Sequence, residues 1–141
     1  MTDSSTSTLT VEEFVEQWQP EDQGMKNCFL ELYRSVAGCE RTTLQFVARP
    51  GVSYSLRPRH DRQTDRELFA IIDVIDDNPD ERWLSVCFYG DMITDPEERG
   101  EVIPGGLAGS DGYCFDLYAA DGGFVAYLEK RLQEAWTSAG A

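Results

Sequence analysis

Residues 53–66 read SYSLRPRHDRQTDR and gather four arginines and the single histidine of the chain into fourteen positions. If this stretch continues as a strand past Leu56, alternation puts Arg57 and Arg59 on one side, with Ser53 and Ser55 behind them. Two guanidinium forks beside hydroxyl groups suit a carboxylate or a phosphate, because arginine grips either one bidentately. The candidate ligand-binding set is therefore Arg57, Arg59, His60, Ser55 and Tyr54. In it, Tyr54 would stack a planar ligand, and His60, read as a surface residue in a polar turn, would bind an anion or move a proton. The same residues also fit a strand end or sheet edge, where Pro58 limits hydrogen bonding and arginine acts against aggregation, with no ligand at all.

A second chemistry is conceivable at the carboxylates. Asp73, Asp76, Asp77 and Asp80 flank a turn, and Asp91, Asp95, Glu97, Glu98 and Glu101 populate the acidic segment 90–112. Carboxylate oxygens can hold a divalent cation or serve in pairs as acid and base. The spacing does not follow a calcium loop, however, and PGGLAGSDG has neither dinucleotide nor P-loop spacing and leads into a strand. No metal site is assigned and no cofactor is identified. The glycines here would permit tight turns or form a lid.

The formal net charge of −14 weighs against nucleic acid as a partner, since phosphates would meet a repulsive field. That charge is segregated. Residues 41–66 hold six arginines against two aspartates, a local +4, so the rest of the chain carries −18. Such a basic strip can steer an anionic ligand or face the acidic surface of a second copy. Cysteines at 28, 39, 87 and 114 match no paired zinc spacing, and we expect them buried and reduced, with Cys28–Cys39 as the alternative pair in an oxidising compartment. No apolar run approaches the roughly 20 residues of a membrane span. The polar, uncharged-to-acidic start MTDSSTSTLT reads as a flexible lead-in over residues 1–9, without the parts of a secretory signal.

The elements that must position these residues follow from periodicity. Thr10 and Glu13 have capping-box spacing ahead of Phe14, Val15 and Trp18, predicting a helix over about 10–19 that stops before Pro20. A second helix, about 22–37, opens on Glu21 or Asp22 and carries Met25, Cys28, Phe29, Leu32 and Val36 on one face. From residue 42 the period is two. Strands at about 42–49, 52–59, 67–76 and 82–89 form an antiparallel meander, with Arg49-Pro50-Gly51 as its first turn. Segment 90–112 reads as irregular with one helical turn at 95–99, and 113–118 as a fifth short strand. Asp121 caps a closing helix, about 121–137, with Phe124, Tyr127, Leu128, Leu132 and Trp136 inward and Glu129, Lys130, Arg131 and Glu134 towards solvent. Helices plus an antiparallel sheet of four to five strands make one α+β domain over 10–138.

The segments RPGVSYSLRPRH, WLSVCFYGDMITDPEERG and PGGLAGSDGYCFDLY resemble those of small bacterial proteins of unknown function, over residues 25–137. The resemblance implies a single cytoplasmic bacterial domain and transfers neither an activity nor a catalytic residue. The expected function is a non-catalytic cytoplasmic binding or interaction domain for a small anionic ligand or an acidic protein surface, a homodimer being one form of the latter. The alternative is an enzyme with a carboxylate-based or metal-assisted site under the loop 90–112.

Overall fold

Thr10 opens the first helix as its spacing predicts. In a computed structural model, which describes residues 9–18, 23–107 and 109–141, its hydroxyl accepts from the Glu13 amide at 3.1 Å while the Glu13 carboxylate accepts from the Thr10 amide. This is α1, Val11–Gln17. Helix α2 is Gln23–Ala37, and α3, Gly122–Ala139, is capped by Asp121 accepting from the Phe124 amide. The lead-in before Leu9, the stop at Pro20 and the opening carboxylates Glu21 and Asp22 lie outside the described residues.

The sheet is antiparallel and has six strands: β1 Thr42–Arg49, β2 Ser53–His60, β3 Ile71–Ile75, β4 Trp83–Phe88, β5 Glu101–Leu107 and β6 Ser110–Leu117, in the order β1-β2-β3-β4-β6-β5. The first four are the predicted meander, and the class is α+β. The sixth strand, β5, corrects the reading of 90–112 as irregular. Its residues are mostly exposed, so an edge strand with neither face in the core shows no alternation to detect. Gly105 and Gly109, at φ +70° and +90°, supply the left-handed positions that let β5 bend and return into β6. The helical turn expected at 95–99 is a turn, with the Glu98 amide donating to the Asp95 carbonyl at 3.0 Å.

The three described helices lie on one face of the sheet. Phe46, Leu56, Ile72, Val86 and Phe115 stand side by side across five strands and point into the helical layer. From α1, Phe14 stacks on Tyr54 at 4.1 Å, and from α3, Phe124 and Tyr127 pack edge-on against Phe115. The β1–β2 turn closes with the Val52 amide on the Arg49 carbonyl, Pro50 presetting φ and Gly51 at φ +85°. Asp76 locks that turn from below. Buried to 3% exposure, it accepts from the Gly51 amide at 2.8 Å and from Arg82 Nε at 2.7 Å, and the Arg82 guanidinium lies among the rings of Phe14, Trp18 and Tyr54. This carboxylate serves the core.

Three sequence readings need correction. Cys87 and Cys114 face each other across β4 and β6 and are joined as a disulfide, so the four cysteines are not all reduced, and the pair is not Cys28–Cys39, both of which are free. Arg131 is buried rather than solvated, with its Nε on Glu134 at 2.8 Å and its guanidinium over the Tyr127 ring. Pro58 falls just past the end of the pairing with β3, as a strand end would have it, but marks no sheet edge, because β2 lies between β1 and β3. It is tolerated since β3 pairing ends at Leu56, and beyond that point the Pro58 carbonyl takes the Phe69 amide from the connecting segment. Among the described residues, no helix is long and apolar enough to cross a membrane.

Candidate functional site on the open sheet face

Among the described residues, no helix packs on the other side of the sheet, whose residues alternate with those of the core. Register assigns to it Gln45 and Arg49 on β1, Ser53, Ser55, Arg57 and Arg59 on β2, Asp73 on β3, Ser85 and Cys87 on β4, and Cys114 and Asp116 on β6. The predicted pair Arg57 and Arg59 therefore does share a side with Ser55. The other two candidates do not. Tyr54 points into the helical layer against Phe14, and His60 is buried beside Trp136 of α3, its Nδ1 accepting from the Arg62 amide at 3.0 Å. Odd and even positions of one strand cannot meet at one ligand.

Arg57 and Arg59 border a groove of about 270 Å³ together with Thr43, Gln45, Glu67 and Leu68. Arg57 is half-buried, its Nε donates to Ser55 Oγ at 3.0 Å, and its side chain lines the groove. Arg59 is exposed. Among the described residues, the arginines in ion pairs are Arg66, Arg82, Arg99 and Arg131, so neither groove arginine is neutralised by a carboxylate in contact.

Behind Arg57 lies a feature the sequence reading did not single out as part of this site. Asp73 is directly across from Ser55 on one side and from Ser85 on the other, at the middle of the sheet. Burial pushes its carboxyl pKa above the ordinary value, against the opposing pull of the Ser55 hydroxyl and the fields of Arg57 and Arg49. Its Oδ1 is shielded from solvent and has no hydrogen-bond partner among the described residues. A lone carboxylate between Ile72 and Val74 was the available signal, since a charge inside a β-branched run must find a polar row across the sheet.

The carboxylates of the acidic segment are engaged elsewhere. Asp91 accepts a two-pronged contact from Arg66 at 2.8 and 3.1 Å, and Arg66 in turn covers the Tyr89 ring at 3.9 Å. Asp95 accepts from Tyr113 at 2.6 Å, from Tyr127, and from the amides of Arg99 and Gly100. Burial raises the Asp95 pKa, yet these donors outweigh it and hold the carboxyl well below the usual carboxylate range, while Tyr113 is pushed up to about 12 by its bond to Asp95. Among the described residues, no group of three or more His, Cys, Asp or Glu side chains could hold a metal ion. A wider, shallow depression runs between residues 91–94 and the outer side of α3, where Glu134 binds the Thr94 amide and hydroxyl as well as Arg131.

No protein-family model matches the chain, and no curated protein and no solved structure shows significant similarity to it.

Proposed function

We propose that this domain is a non-catalytic binding module whose open sheet face takes a carboxylate or phosphate group between Arg57 and Arg59, presented by a small ligand or by an acidic protein surface. The observation that carries the reading is the groove itself, where two arginines without ion-pair partners among the described residues stand side by side on an acidic molecule, next to Thr43 and Gln45. At about 270 Å³ the groove is smaller than the roughly 300–1,000 Å³ of most small-molecule pockets. It is sized for one acidic side chain or a small anion, not for a nucleotide, and the overall charge argues against a nucleic-acid partner.

Thermal shift at low salt with phosphate, succinate and a tetraglutamate peptide tests this. A probe at one hundred times its dissociation constant adds about 2.7 kcal/mol, or roughly 9 °C for a chain of this length. The expected result is a rise that Arg57→Glu abolishes. No rise with any probe, or a rise that survives the substitution, contradicts it.

We place the domain in the cytoplasm with this reading. The Cys87–Cys114 disulfide weighs the other way, because cytoplasmic thiol pools keep most cysteines reduced. Alkylation of denatured protein taken directly from cells separates the compartments: four blocked thiols support the cytoplasm, and two contradict it.

A further inference from the structure

From the charge layout of the open face we infer that the acidic partner received by Arg57 and Arg59 is the β5–β6 end of the same face on a second copy of this chain. This rests on the binding role proposed for the groove. One end of the face is basic, with Arg49 on β1 and Arg57 and Arg59 on β2, and the far end is acidic, with Asp116 on β6 and Glu101 on β5 opposite Cys114. Between them the face carries Ile75, Trp83 and the Cys87–Cys114 pair, with Ile103 exposed at its edge. Trp83 packs on Tyr118, itself 68% exposed.

A two-fold axis lying in the interface can run in either of two directions. An axis across the strands lays β1 and β2 over their own copies and sets arginine against arginine. An axis along the strands reverses the strand order, so that β1 lies over β5 of the second copy, β2 over its β6 and β3 over its β4. Only the second arrangement sets basic over acidic, and like charges across an interface are strongly disfavoured. It also sets the β3 carboxylate Asp73 over Ser85 on β4 of the second copy, a neutral hydroxyl rather than another charge. Six strands of five to eight residues span roughly 600–700 Å² in projection, of the order of the ~800 Å² per partner in a standard interface. Packed sheets of this kind align within about 30°.

Sedimentation velocity over a concentration series, at low and at high salt, tests the inference on three proteins: the natural chain, Arg57→Glu with Arg59→Glu, and Glu101→Arg with Asp116→Arg. Far-ultraviolet circular dichroism establishes that each is folded. The expected result is a dimer of the natural chain whose dissociation constant rises roughly tenfold or more in high salt. Each variant alone is monomeric, and the equimolar mixture of the two restores a dimer, because the acidic groups of one variant's face meet the added basic groups of the other's. A natural chain that stays monomeric, a dimer indifferent to both charge reversals, or a mixture of folded variants that stays monomeric would each overturn it. A monomeric natural chain that still binds tetraglutamate through Arg57 removes the second copy but leaves the binding role, and loss of both removes both.

Discussion

Ser55 and Asp73 stand opposite each other across β2 and β3, which sets the serine hydroxyl beside the carboxylate at the middle of the open face. The Asp73 pKa is raised on folding, first by burial. A raised carboxyl binds more protons in the folded than in the unfolded chain between the two pKa values, so stability falls as pH rises through that window. Asp73→Asn should therefore stabilise the dilute monomer at pH 7 by about 1 kcal/mol, the scale of an unpartnered buried acceptor, or roughly 3 °C. Near pH 3 the gain should vanish. Melts at both pH values check it, and a loss at pH 7 would contradict it.

Asp95 gives the opposite sign. Its folded pKa is depressed, so its contribution is complete above the unfolded value of about 3.9 and disappears only as pH falls through the lower folded value. Tyr127→Phe keeps the ring against Phe115 but removes a donor to Asp95 and an acceptor for the Glu97 amide. We expect a loss of roughly 1 to 2 kcal/mol at pH 7 that narrows below pH 4, read from urea unfolding across pH.

His60 leaves no room at the end of α3. A methyl group at Gly140 would sit 2.5 Å from His60 Nε2, so Gly140→Ala must displace the ring or the helix end. The expected cost is about 1 to 3 kcal/mol. His60→Ala should absorb most of it, which a double-mutant cycle in urea would show as non-additivity.

Reduction of Cys87–Cys114, which closes a span of 27 residues, should lower stability by roughly 2 to 4 kcal/mol, or about 7 to 13 °C. The variant with both cysteines changed to alanine should melt near the reduced protein and ignore reductant. A natural chain equally indifferent to reductant would argue against the bond.

The regular elements were legible because one side of each faces the core. Thr10 with Glu13, the Pro50-Gly51 turn and the alternation of Leu44, Phe46 and Ala48 all gave their structure directly. Strand β5 was not legible, since Glu101–Leu107 is exposed along most of its length and carries no periodic signature. Alternation also placed Arg57 beside Arg59 and, read strictly, put Tyr54 and His60 on the other side. Asp73, Ser85 and Asp116 join the site only through pairing between strands distant in sequence, which a single chain read in order does not display.

The binding role of Arg57 and Arg59 is tested most directly by two-dimensional amide NMR of the isotopically labelled protein, titrated with tetraglutamate at low salt. Saturable shifts that include the groove, at Thr43, Gln45, Arg57, Arg59 and Leu68, are expected, as is their loss in Arg57→Glu. Shifts elsewhere alone, none at all, or groove shifts unchanged by the substitution would contradict it.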